Sequence, residues 1–231
     1  MPKKDDKEQS INWYEKIPKR FLTKSHNPHY DKHKIKIPFR MLITGASGSM
    51  KTNTLLSLLN IMPSTWETIT VITKNKDEPL YNWLEDKLGK EGLKIQEINK
   101  EGMPDLDKFD KTKNNLIVMD DLVGERNQKP MEDFFLRARK KGCSLVYITQ
   151  SYYQVPKMIR NNLTYLIIKQ ISSMKNLVMI SREYDLGLDK QDLINMYEDA
   201  TENKAGFLMI DLEANPKEKF RKNFDEIYEI A

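Results

Sequence analysis

The stretch FRMLITGASGSMKT, residues 39–52, decides the fold. Its first six residues, Phe39–Thr44, form an apolar run that reads as a buried strand. Gly45, Ala46, Ser47, Gly48, Ser49, Met50, Lys51 and Thr52 follow, and residues 52–60 then read as a helix. A strand, a loop of small residues and a helix opening on Lys-Thr is the context in which G-x-x-x-x-G-K-[ST] carries meaning. Small residues let the backbone wrap a phosphate chain, successive N–H groups point inward, and the helix N-terminus adds positive potential. Lys51 is then expected to reach the β- and γ-phosphates and the Thr52 hydroxyl to sit on Mg²⁺. Met50 stands where the pattern has its second glycine, a position that favours φ > 0. Met50 fits if its backbone stays in an allowed region with the side chain turned away; otherwise strain of about 1–3 kcal/mol weakens nucleotide binding.

Outward from this stretch, apolar runs alternate with amphipathic ones. Strands are predicted at Phe39–Thr44, Thr68–Thr73, Leu116–Asp120, Ser144–Thr149, Tyr165–Lys169 and Gly206–Asp211, with an extra strand at Leu93–Ile98. Helices are predicted at Thr52–Asn60, Leu80–Leu88, Pro130–Lys141 and Lys190–Asp199. The strand runs are nearly continuous in apolar residues, as expected for a parallel sheet covered on both faces. Alternating strands and helices predict a doubly wound α/β domain. No Gly-, Pro- or Ser-rich linker divides it, so the expected organisation is an N-terminal arm, residues 1–36, and one domain, residues 37–231.

The 39% hydrophobic residues suffice for a core and exclude a chain disordered throughout. A single cysteine, Cys143, excludes a disulfide scaffold. No apolar run is long enough for a membrane span, and the charged start leads to no signal-peptide core, which predicts a soluble, non-secreted protein. The net charge of +4 is unevenly placed: residues 1–40 hold 11 Lys and Arg against 5 Asp and Glu, and the rest hold 27 against 29. A basic arm suits an acidic partner such as nucleic acid, or simply a solvated tail. His26, His29 and His33 lie in this arm; without a helical pattern or a supporting cysteine they read as a polar loop more readily than as a metal site.

The run Asn115–Asp120 ends in two acids, Asp120 and Asp121. Beside a phosphate loop, the first acid of such a pair holds Mg²⁺ and the second takes the proton of the attacking water. Alone, the pair reads first as a solvated strand end; the phosphate loop turns the reading toward a metal and water site. Gln150, at the carboxyl end of a later strand, is placed to orient water. The segment Arg137-Ala138-Arg139-Lys140-Lys141-Gly142 admits two readings: cations and a glycine capping a helix, or an arginine finger reaching into a neighbouring subunit.

PFRMLITGASGSMKT, NLIVMDDL, FFLRARKKGCSLVYITQSYYQVPKMIRNN and YLIIKQ, in this order, resemble the poxvirus-type virion DNA-packaging ATPases of large DNA viruses, virophages and related transposons, within the FtsK–HerA superfamily. The resemblance runs from about Ile37 to Asp211 and is most specific between Phe134 and Asn161. It implies a three-layer P-loop NTPase fold, RecA/FtsK-like, with a mainly parallel sheet of order 5-1-4-3-2. It further implies ATP and Mg²⁺ as cofactors, and a homo-hexameric ring with double-stranded DNA in its pore. By the same resemblance Lys51 and Thr52 match the nucleotide lysine and metal threonine, Asp120 the metal acid, Asp121 the catalytic acid, Gln150 the sensor and Arg139, more than Arg137, the trans-acting arginine. The implied activity is ATP-driven translocation of a viral genome into a capsid, at a virion or host-cytoplasmic assembly site, with capsid or portal-vertex proteins as partners. The alternative is a nucleotide-binding structural or regulatory protein whose Met50 marks lost hydrolysis. A kinase or GTPase is a weaker third reading, since no N-K-x-D motif is present. Lys157 and Arg160, with Lys16, Lys19, Arg20 and Lys24 of the arm, are the cations expected to meet DNA phosphates; the aromatics of residues 151–162 suit stacking or loop packing equally.

Overall fold

The computed structural model of the chain describes residues 11–18 and 26–229. Lys19, Arg20 and Lys24, named above as DNA contacts, lie outside the described residues. The strands are β1 (Arg40–Thr44), β2 (Thr68–Thr73), β3 (Leu93–Glu97), β4 (Asn115–Asp120), β5 (Cys143–Thr149), β6 (Tyr165–Ile168), β7 (Leu208–Asp211), β8 (Phe220–Lys222) and β9 (Glu226–Ile227). The helices are α1 (Trp13–Lys16), α2 (Tyr30–His33), α3 (Lys51–Ile61), α4 (Pro79–Gly92), α5 (Ile98–Glu101), α6 (Lys129–Arg137), α7 (Lys157–Arg160), α8 (Lys175–Glu183) and α9 (Lys190–Thr201).

All the strands belong to one sheet, ordered β3-β2-β4-β5-β1-β6-β7-β8-β9. The first six are mutually parallel, and β7, β8 and β9 extend the sheet antiparallel. With β3 set aside, the five strands β6-β1-β5-β4-β2 stand in the expected 5-1-4-3-2 order. The run at Leu93–Glu97 is the extra strand, added at the outer edge beside β2.

The near-continuous apolar strands serve two cores, because successive side chains point to opposite faces. Met41, Ile43, Val118, Val146 and Ile167 pack on one face with Leu55 and Leu58 of α3 and Tyr81 and Leu84 of α4. Leu42, Met119, Tyr147 and Leu166 pack on the other with Phe134 and Phe135 of α6, Leu177 of α8 and Leu193 of α9. The sheet is thus the middle of three layers.

Glycines decide how two of the predicted helices end. Gly89 takes φ 71°, which interrupts α4 just past Leu88. The predicted helix Pro130–Lys141 splits into α6 and a tighter 3₁₀ turn, Ala138–Lys141, closed by Gly142 at φ 67°.

The segment before β1 is packed on the body. Ile35 is fully buried among the α3-side residues. The backbone N–H of Lys36 donates to the Tyr165 hydroxyl at 2.9 Å, and Arg221 Nη1 donates to the His33 carbonyl at 3.0 Å. Residues 26–36, assigned to the arm by charge, therefore lie on the domain, and the boundary at 36 falls inside packed chain. Of the three histidines read as a polar loop, His33 is buried in the packed segment. The buried His33 ring accepts from Ile35 N at 2.9 Å, burial lowers its pKa, and among the described residues no group of three His, Cys, Asp or Glu could hold a metal. Cys143 is a buried free thiol, its pKa pushed up to about 12 by burial. Among the described residues no helix is long and apolar enough to cross a membrane. Replacing Ile35→Ala is expected to lower stability by about 2–5 kcal/mol in urea unfolding; on a detached arm the same change would cost less than about 0.5 kcal/mol.

Candidate nucleotide-binding and catalytic site

The loop of residues 45–50 joins β1 to α3 and is gripped from both sides. Gly45 N–H donates to the Thr149 carbonyl at 3.2 Å, and Ala46 N–H to the Gln170 carbonyl at 2.7 Å. Only glycine fits at 45: a Cβ there would lie 2.5 Å from Lys169 Cβ. Gly48 turns the chain at φ 70°. Met50 also lies in the left-handed region, at φ 63° and ψ 38°, the conformation its glycine counterpart in the motif would take freely. Its side chain is 38% exposed and offers no cap to the helix. The loop thus keeps its shape at the cost of one strained residue.

Lys51, the first residue of α3, folds its ammonium into the loop and donates to the carbonyls of Gly45 (3.0 Å) and Ala46 (2.8 Å). Burial lowers its pKa, and the charges of Asp120 and Asp121 oppose that shift. Thr52 follows in the first turn. With Met50, Lys51, Glu78 and Leu80 it lines an open cleft of about 490 Å³, so the start of α4 faces the loop.

Asp120 ends β4, two strands from the loop. Its Oδ2 accepts from the Tyr81 hydroxyl at 2.7 Å. Burial raises its pKa, the Tyr81 hydrogen bond lowers it, and Asp121 raises it further. Asp121 leaves the strand in a left-handed turn at φ 55°, its side chain exposed, its N–H donating to the Ile148 carbonyl at 3.0 Å. This turn lets adjacent acids, which on a regular strand would point apart, serve one edge. Gln150 is exposed one residue beyond β5, between β1 and β4. The loop, Lys51, Thr52, Asp120, Asp121 and Gln150 therefore converge at the carboxyl edge of the parallel strands, where such sheets bind ligands.

Arg139 is not with them. It sits in the turn before β5, at the opposite edge, separated from the loop by the length of that strand, about 20 Å. It is exposed, makes no ion pair among the described residues, and lines a cleft of about 230 Å³ with Lys111, Lys113 and Trp66. Arg137 is held by Asp133 (2.8 Å) and Asp107 (3.2 Å).

Arg160 is corrected as a DNA contact. It is buried, pairs with Glu183 at 3.0 Å, donates to the Val155 carbonyl at 2.6 Å and lies over the Tyr152 ring. Tyr152 is buried and donates to Glu183 at 2.7 Å, whereas Tyr153 is 72% exposed. The two tyrosines therefore divide, one packing the loop and one facing solvent. Lys157 remains exposed.

Three participants carry no sequence signature. Tyr81 reads as one apolar position on a helix. Glu183 lies in α8, a helix the sequence reading leaves out. Lys169 reads as the end of a strand, yet it is fully buried, and its ammonium donates to the carbonyls of Lys204 (3.2 Å), Ala205 (2.7 Å) and Gly206 (3.0 Å). Burial, reinforced by Lys51, lowers its pKa to about 8.

A 5-1-4-3-2 sheet with this loop and acidic strand end is that of a P-loop NTPase. The chain belongs to the Poxvirus A32 protein family, whose model matches residues 27–215. Among curated proteins it is 28% identical over 174 residues to the DNA packaging protein OPG160 of Variola virus and of Vaccinia virus (strain Copenhagen), covering 70% of this chain. The aligned part is 64% of the length of those relatives. Among solved structures it resembles the genome packaging NTPase B204 of Sulfolobus turreted icosahedral virus 2 in complex with AMP, with TM-score 0.57, 13% identity and coverage of 82% of this chain and 98% of that one. It also resembles EssC (ATPases 2 and 3) of Geobacillus thermodenitrificans, with TM-score 0.55, 9% identity and coverage of 83% and 40%. These likenesses show a shared fold.

Two outcomes follow from the geometry. Met50→Gly relieves the left-handed strain and is expected to raise stability by about 1 kcal/mol in urea unfolding. Glu183→Ala leaves the buried Arg160 charge without its carboxylate and is expected to cost about 3–5 kcal/mol by the same measurement.

Proposed function

We propose that this protein is an ATP-driven double-stranded DNA translocase that packages a viral genome into its capsid. The observation that carries the reading is the convergence of the loop, Asp120, Asp121 and Gln150 at one sheet edge, while Arg139 stands exposed at the other. The packaging role named for the OPG160 relatives supports the DNA substrate.

Lys51 moves from the carbonyls of Gly45 and Ala46 to the phosphates of ATP, and the loop amides bind the same oxygens. Thr52 and Asp120 are hard oxygen donors and would hold Mg²⁺, which when bound draws negative charge from the β- and γ-phosphates. Gln150 orients the attacking water, and Asp121 accepts its proton. Arg139 cannot reach the loop of its own chain. It stabilises the developing charge in a neighbouring copy, which makes the working unit an oligomer, a homo-hexameric ring with DNA in its pore. Lys157 and Tyr153 are exposed and suited to the DNA backbone; Lys16 of α1 is exposed as well. Capsid or portal-vertex proteins are the second class of partner, at the viral assembly site. The alternative, a nucleotide-binding protein without hydrolysis, rests on Met50, whose left-handed strain the loop bears while keeping its form.

Lys51→Ala, Asp121→Asn and Arg139→Ala are each expected to abolish DNA-stimulated ATP hydrolysis without unfolding the chain. Mixing Asp121→Asn with Arg139→Ala is expected to restore part of the rate, because mixed interfaces pair an intact acid with an intact arginine. Hydrolysis that persists in Lys51→Ala and Asp121→Asn would falsify the assignment, and absence of recovery on mixing would remove the trans role of Arg139.

A further inference from the structure

The start of α4 does two things at once. Glu78 and Leu80 line the cleft over the loop, and Tyr81, one residue on, turns into the body and is fully buried. Its ring packs in the α3-side core with Leu84 of the same helix. Its hydroxyl ends on Asp120 Oδ2, at 2.7 Å. A phenol buried among apolar side chains needs a partner for its hydrogen, and this one has the carboxylate at the end of β4. A carboxylate has two oxygens, and a fixed donor on one settles where the other points. Lys51 is the cation whose charge acts on Asp120. A direct pair between those two side chains would withdraw the acid from a metal and the lysine from a phosphate.

We propose that Tyr81 is a positioning residue for the Mg²⁺ site: it ties Oδ2 of Asp120 to α4, leaves Oδ1 to the metal, and keeps the carboxylate off Lys51. The proposal rests on the reading of Asp120 as the metal acid. Partners of this kind, behind a ligating carboxylate, are worth about 10–100-fold in metal affinity.

Tyr81→Phe keeps the ring and removes only the hydrogen bond. The readout is direct binding of a fluorescent ADP analogue, titrated with Mg²⁺ and, separately, in EDTA, with Mn²⁺ counted by electron paramagnetic resonance in the presence of ADP. Tyr81→Phe is expected to raise the Mg²⁺ concentration for half-maximal tightening by about 10–100-fold, to weaken Mn²⁺ binding alike, and to leave binding in EDTA unchanged. In an Asp120→Asn background the same change is expected to add nothing, since the phenol acts through that carboxylate. Leu84→Ala loosens the same face of α4 and is expected to leave the Mg²⁺ dependence as in the unmodified chain.

Other results overturn the proposal in distinct ways. If Asp120→Asn shifts the Mg²⁺ dependence and Tyr81→Phe does not, the positioning role falls and the metal acid stands. If Leu84→Ala shifts it as far as Tyr81→Phe, or the two changes at 81 and 120 add, Tyr81 acts through packing alone. If Asp120→Asn itself changes nothing, the assignment of Asp120 falls and takes the role of Tyr81 with it.

Discussion

The carboxyl end of β5 is the bracket on which the site depends. Its last two carbonyls are shared between the two halves of the chemistry: Thr149 accepts from Gly45 at the start of the phosphate loop, and Ile148 accepts from Asp121 in the acidic turn. Backbone hydrogen bonds of this kind are directional and, once buried, costly to leave unmade. They set the loop and the acids at a fixed separation, with Gln150 leaving the strand between them. The bracket is in turn held by the parallel register that puts Thr44 beside Thr149 and Asp120 beside Ile148. A slip of one residue in that pairing would exchange the two faces of the strand and part the groups that now meet.

The far side of the loop has a different support. Gln170 binds Ala46 through its carbonyl, and Lys169, immediately before it, closes against Gly45 while spending its ammonium on three carbonyls of residues 204–206. Burying an ammonium is unfavourable unless its hydrogens are met, and three carbonyl oxygens meet them here. The connection before β7 thus braces the phosphate loop from a segment far away in sequence. With this bracing, a left-handed Met50 is tolerable: neighbouring hydrogen bonds fix the loop on both sides, and the strain of one residue is small beside them.

The six main strands and four main helices announce themselves because their apolar periodicity is strong and their ends carry glycine, proline or charge. The extra strand at Leu93–Glu97 is visible too. Helix α8 is not: in Lys175–Glu183 one of its three buried positions is the polar Asn176, which blurs the pattern. The same blur hid the partner of Arg160, so that a buried structural cation looked like a surface contact. Charge sets the end of the arm at 36 because it counts surface lysines and overlooks a single buried Ile35.

By itself the sequence determined the chemistry on offer: a phosphate loop with Met50 in place of its second glycine, an acid pair, a glutamine at a strand end and a basic segment around Arg139. These are local features, set by residue type and spacing over a few positions. Only the tertiary structure decided which of them meet. It joined the acids and the glutamine to the loop through the pairing of β1, β5 and β4. It sent Arg139 to the opposite edge, removed Arg160 from the surface and set Tyr81 behind Asp120. Those outcomes depend on strand order and on burial between residues tens of positions apart, which no short-range pattern encodes.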